Sequence, residues 1–142
     1  MSIDKPNIKT ENGVQYIFCA IRKKWLVLTP EEKVRQYIIH QLVHTYQYPL
    51  KYISVEKTIT VNTLKKRYDI LVFNTNLQAK ILIECKADTI LLDEKTLMQI
   101  ATYNLPLQVP YLMVSNGNKN YYFHLFDNKS TQINTLPKFE EL

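Results

Sequence analysis

Glycine is almost missing from this chain: its 142 residues include only Gly13 and Gly117. Loops that wrap phosphates need several glycines, so a P-loop and a dinucleotide-binding fingerprint are both excluded, and with them a nucleotide-driven motor within this sequence. Cysteine is as scarce. Cys19 and Cys85 lie in apolar, strand-like surroundings, with no CxxC and no zinc-like spacing to His40, His44 or His124. His40 and His44 are four apart on an expected helix, but the pair lacks a third ligand. No apolar run reaches membrane length, and no signal peptide or lipidation motif occurs, so a cytoplasmic protein with no membrane partner is expected. Arginine is rare beside lysine, which favours phosphate contact over bidentate reading of bases. The net charge of +5 suits a polyanionic partner.

The length fits one domain with a proper core. Residues 1–14 are polar and without periodicity, a loosely ordered lead-in; 15–127 carry the patterned domain; 128–142 read as a polar, peripheral tail. Tyr16–Ala20 and Trp25–Leu28 suit short extended segments around Arg22-Lys23-Lys24, a basic triplet read as a solvated turn. Thr29-Pro30-Glu31-Glu32 starts a helix, with Thr29 as N-cap and Glu32 closing a capping box. Val34, Ile38 and Leu42 continue it at helical spacing as far as Pro49. On a helical wheel Glu31 falls on the apolar stripe and Glu32 about 100° away. Glu32 is therefore expected to cap, and Glu31 to face the sheet. Tyr52–Val61 alternates as a half-buried strand, Asp93 caps a helix through Tyr103, and Tyr111–Val114 and Tyr121–Phe126 flank the turn signal Asn116-Gly117.

The stretch RYDILVFNTNLQAKILIECK, Arg67–Lys86, organises the rest. Ile70–Phe73 and Ile81–Ile83 are apolar runs suited to strands buried on both faces, joined by the turn Asn74-Thr75-Asn76. The first opens with Asp69 and the second closes with Glu84-Cys85-Lys86. In an antiparallel hairpin these ends are neighbours, and Glu84 and Lys86 share a face. Two carboxylates and an ammonium at one sheet edge suit a hard cation with a lysine beside it. Magnesium, with manganese as the substitute ion, binds through one or two carboxylates and leaves positions for water and phosphate. The lysine would orient or deprotonate the water and offset charge on the phosphate. The plainer reading is a salt bridge at a strand end. The triplet alone is weak, since Glu31-Glu32-Lys33, Asp93-Glu94-Lys95 and Asp127-Asn128-Lys129 match it too, but only Glu84-Cys85-Lys86 follows an apolar strand with an acid on the strand before. Lys65, Lys66 and Arg67, just ahead of Asp69, suit contact with a nucleic-acid backbone or a solvated hairpin tip.

Asp69 with Glu84-Cys85-Lys86 resembles the PD-(D/E)xK nucleases, although Tyr68 stands where those have proline. Helix, three strands, helix, two strands is the αβββαβ order of restriction-endonuclease-like folds: α/β, with a mixed central sheet flanked by helices. LTPEEKVRQ, KKRYDILVF, ILIECKA and QIATYN, followed by SNG, narrow the likeness to the N-terminal nuclease domain of type I restriction enzyme R subunits, the HsdR N-terminal family, over roughly residues 15–125. The resemblance implies a magnesium-dependent DNA endonuclease. Its site would comprise Glu31, Asp69, Glu84 and Lys86, with Gln99 and Tyr103 as the family's QxxxY element. Asp69, Glu84, the Cys85 carbonyl and Glu31, directly or through water, would hold the metal. R subunits also carry a helicase motor; no motor motif occurs in these residues, so the expectation is confined to a nuclease module.

Two other classes stay open. One is a non-catalytic DNA-binding module on the same fold; the other is an interaction module of a restriction complex, with restriction-modification subunits as partners. DNA is the expected substrate, and RNA stays open. Cutting both strands calls for two active sites, which a homodimer would supply, although no interface is legible.

Overall fold

The computed structural model describes residues 5–142, and within them two sheets and two helices. Strands β1 (Ile8–Glu11), β2 (Val14–Cys19) and β3 (Lys24–Val27) form a small antiparallel sheet. Helix α1 (Pro30–His44) follows, then β4 (Ile53–Val61), β5 (Leu64–Phe73), β6 (Ala79–Cys85), α2 (Glu94–Asn104), β7 (Tyr111–Ser115), β8 (Asn120–Phe126) and β9 (Lys129–Ile133). The second sheet runs β4-β5-β6-β7-β8-β9. Only β6 and β7 pair in parallel, because α2 carries the chain back across the sheet between them. This is the mixed α/β, restriction-endonuclease-like architecture that the order of elements implied.

Each helix covers one face. Val34, Ile38, Ile39 and Leu42 of α1 pack on Ile70, Val72, Ile81, Ile83 and Met113. Leu97 and Ala101 of α2 join Leu71, Leu82, Leu112, Val114 and Phe123 on the other side. The central strands are thus buried on both faces, which is why they read as unbroken apolar runs. Each fully buried Ile or Leu side chain contributes about 1.5–3 kcal/mol relative to exposure. Both helix starts are capped as expected: Thr29 Oγ1 accepts the Glu32 N–H at 3.1 Å and Asp93 Oδ1 the Thr96 N–H at 2.8 Å.

Both ends of the chain differ from expectation. The lead-in, of which Met1–Asp4 lie outside the described residues, contains β1, paired with β2 from Ile8↔Ile17 to Glu11↔Val14. The tail is not peripheral. It supplies edge strand β9, and Leu136 is buried in the α1-side core with Phe139 and Leu142 packed against it. Tyr48 donates to the Pro137 carbonyl, tying the tail to the end of the α1 segment. Polar composition hid this, since three apolar residues spaced along an irregular segment have no periodicity to read.

The turn after β7 leans on α1. Gly117 has φ +88°, and a Cβ there would meet Val34 Cγ2 at 3.1 Å; Gly13, at φ +79°, would meet nothing within 4 Å. Gly117→Ala is expected to cost about 2–3 kcal/mol, from left-handed strain plus displacement of Val34, and Gly13→Ala about 1–2 kcal/mol from strain alone. Urea unfolding midpoints check this; equal losses would show that Val34 gives way freely.

Candidate active site

The site lies where β5 and β6 part. Their ladder runs from Phe73↔Ala79 to Ile70↔Ile83, and one further step sets Asp69 across from Glu84. The pleat breaks at this point. Tyr68 belongs to the α2-side core and Ile70 to the α1-side core, although residues two apart on a regular strand share a face. On β4, the residue facing Asp69 is Glu56, held at φ +52° between the pairs Val55↔Ile70 and Lys57↔Tyr68. Local irregularity of this kind re-aims side chains, as bulges beside active sites do. Here it turns Asp69 toward α1 and into line with β6. Asp69 Oδ2 accepts the Cys85 N–H at 2.8 Å, taking over from the ladder, and Oδ1 accepts Arg35 Nη2 at 3.0 Å.

Arg35 joins Asp69 to a network that sequence reasoning missed. Its Nη1 lies 2.7 Å from Glu32 Oε1 and 3.5 Å from Glu56 Oε1. Glu32 also accepts from Arg22 at 3.3 Å and from Gln36 Nε2 at 2.9 Å. Glu56 is bridged by Arg67 at 2.7 Å and Arg22 at 3.6 Å. The three arginines of the chain therefore meet three carboxylates in one neutral cluster, as suits the planar, bidentate guanidinium. Burial pulls the Arg35 pKa down, but Glu32 and Asp69 outweigh it and raise it overall. Burial pushes Glu56 up, and Arg35, Arg22 and Arg67 together bring it below the ordinary carboxylate range.

Two expectations are corrected here. Glu32 is the buried member of its pair and Glu31 the exposed one. Glu32 follows Arg35 and Gln36 inward, and only its backbone N–H serves the cap. Arg22 is no part of a solvated turn, because it reaches back from the β2–β3 connection to Glu32 and Glu56.

Glu84 belongs to the α2 side. Its Oε1 is 2.5 Å from Lys66 Nζ and its Oε2 3.9 Å from Lys86 Nζ. Lys86 is the more open lysine, with 39 % of its side chain exposed against 16 % for Lys66. Cys85 is buried in the α1-side core. Burial and Asp69 push its thiol up, Arg35 pulls it down, and Glu31 and Glu84 add to the rise. Glu31 itself is exposed in the first turn of α1.

The remaining expected residues are divided. Tyr103 is mostly exposed on α2, its ring centroid 4.4 Å from Lys66 Nζ. Gln99 is exposed on the same helix. Asn104, fully buried beside them and not anticipated, is the α2 residue that reaches Lys66 and Tyr68. Lys65 and Arg67 point outward while Lys66 turns in, so the basic run is split by strand alternation.

Against this geometry, the pattern describing the type I restriction enzyme R protein N terminus matches residues 30–139, from the start of α1 to beyond β9. The chain belongs to that family. No curated protein matches it closely enough to add a relative. Membership in the R-protein N-terminal family places the chain in restriction, a DNA-directed system. Among the described residues no helix is long and apolar enough to cross a membrane. Nor, among them, do three or more His, Cys, Asp or Glu side chains converge as a metal site. The donors at the strand end nonetheless fit magnesium in kind: carboxylate oxygens from adjacent strands, two of which suffice when water and phosphate complete the sphere.

Proposed function

We propose that the chain is a divalent-metal-dependent DNA nuclease module that hydrolyses phosphodiester bonds. One observation carries the reading: the Asp69 carboxylate accepts the N–H of Cys85, the residue between Glu84 and Lys86. That bond ties Asp69 to the segment carrying Glu84 and Lys86, which supports a shared strand-end site. Asp69 and Glu84 would hold the ion, with the Cys85 carbonyl as a third oxygen and Glu31 acting directly or through water. The ion would supply Lewis acidity to the phosphodiester. Lys86, half-exposed beside Glu84, would orient the attacking water and offset charge growing on the phosphate. Lys65 and Arg67, on the outward side of β5, would hold the DNA backbone. Tyr103, with Gln99 one turn before it, would line the approach of the strand.

A second reading has its own support. Asp69 is already paired with Arg35, and Glu84 with Lys66. Acids neutralised in this way suit a DNA-binding or complex-assembly module that cuts nothing. Calorimetry decides between the two. The nuclease reading expects magnesium or manganese to bind with millimolar or tighter affinity, and Asp69→Ala with Glu84→Ala to abolish it. Metal binding that survives the double substitution removes the site from this hairpin.

A further inference from the structure

Lys66 is more deeply set than a phosphate-contacting lysine needs to be. Its ammonium lies 2.5 Å from Glu84 Oε1 and 3.0 Å from Asn104 Oδ1. The ring centroids of Tyr103 and Tyr68 stand 4.4 Å and 5.0 Å from it. Asn104 is itself immobilised: fully buried, it donates from Nδ2 to the Ile100 carbonyl at 2.7 Å, and its Oδ1 also accepts the Tyr68 hydroxyl at 3.1 Å. A lysine stem ordinarily samples many rotamers; here a buried amide and two rings hold its end in one place. A buried ion pair adds little net stability, because desolvation offsets most of the attraction. What such a pair does supply is a fixed orientation of its partner.

From this cradle we propose that Lys66 is a positioning residue: it holds Oε1 of Glu84 and thereby presents Oε2 to the cation and to Lys86. The inference rests on the nuclease reading above and assigns the ligating oxygen within it. Glu84 has two oxygens with unequal surroundings. Oε1 is hydrogen-bonded to Lys66, while Lys86 approaches Oε2 at 3.9 Å, beyond hydrogen-bond reach. A ligating carboxylate is commonly held by a hydrogen bond to its other oxygen, and losing such a support costs about 10–100-fold in metal affinity or activity. Lys66 thus acts through Glu84, whereas Lys86 faces the substrate.

The test is calorimetric binding of manganese, which needs no turnover. Lys66→Met keeps the stem against both tyrosines and removes only the ammonium; it is expected to weaken binding about 10–100-fold. Tyr103→Leu, at an exposed position, removes one wall of the cradle without opening the core and should weaken binding in the same direction by a smaller factor. Lys129→Met, on edge strand β9, should bind as the parent does. A parent that binds no manganese overturns the nuclease reading and this inference with it. A parent that binds, with Lys66→Met equal to it or tighter, overturns the inference alone, since Lys66 would then be a bystander or a competitor for Glu84. Should Lys66→Met fail to fold, Tyr103→Leu decides, and unchanged affinity there overturns the inference.

Discussion

With magnesium present, Lys86→Ala is expected to bind DNA within about threefold of the parent and to cleave it at least about a hundredfold more slowly. Lys86 leaves β6 on the face of Glu84, its backbone N–H tied to the Ser115 carbonyl at 2.8 Å, so the base of the side chain is fixed while its end stays half-exposed. On the nuclease reading, an ammonium in that place would meet the phosphate most strongly as charge builds on it. Its removal should therefore lower turnover and leave ground-state affinity nearly alone. A merely structural lysine would show the reverse, with little change in rate and some loss of stability. Lys129→Ala, in the Asp127-Asn128-Lys129 triplet that copies the motif outside this site, should cleave as the parent does. The measurement is a cleavage time course on linear, supercoiled and single-stranded DNA beside a binding titration. Equal rates for Lys86→Ala and the parent would discard the assignment of this lysine. A parent that binds but never cuts, with magnesium or manganese, would favour the binding-module reading.

The second large effect is on stability. Arg35→Met should destabilise the fold by about 3–5 kcal/mol, the usual cost of removing one partner from a buried ion pair and leaving the others unmatched. The Arg35 side chain is 8 % exposed and meets Glu32, Glu56 and Asp69; methionine matches its stem but none of its charge. Asp69 would keep only the Cys85 N–H, and Glu32 would keep Arg22 and Gln36. Arg67→Ala is the contrast. Its side chain is 64 % exposed and pairs with Glu56 alone, so a loss of about 0–1 kcal/mol is expected. The variants should also differ in acid. Glu56, whose carboxyl is held low, adds stability that is present above its unfolded pKa and is lost as pH falls through the folded one. Arg35→Met removes the first of the charges holding it low, so the difference between parent and variant should narrow on acidification. Chemical denaturation at neutral and acid pH checks both points, and similar losses for Arg35→Met and Arg67→Ala would show that burial does not set the cost.

Apart from β1 and β9, which lie in polar stretches without a readable pattern, the elements and their order were legible because each rests on a local signal. The runs Ile70–Phe73 and Ile81–Ile83 could only be double-faced strands, and Thr29 and Asp93 could only be caps. The closeness of Asp69 to the Glu84-Cys85-Lys86 segment was legible for the same reason, since antiparallel pairing sets the start of β5 beside the end of β6. What escaped depended on tertiary choice. Within one helical turn either Glu31 or Glu32 could face inward, and the polar partners of Glu32 set the choice: Arg35 and Gln36 on its own helix, with Arg22 arriving from a different sheet. The irregularity at Glu56 and Asp69 has no glycine or proline to announce it. Lys65, Lys66 and Arg67 looked alike as a run, and only the small buried amide of Asn104, with no pattern of its own, drew the middle one inward.

The last segment has a consequence for synthesis. Leu136, Phe139 and Leu142 complete the core over α1, yet they follow every strand of the sheet in the sequence and so are made after all of them. Until they arrive, the α1-side surface around Tyr48 and Tyr122 lacks its cover, and a nascent chain stalled after Phe126 would show that apolar patch together with the unpaired edge of β8. The α1 side of the core therefore closes only once β9 and the segment behind it have been made, and the β8 edge stays open until then.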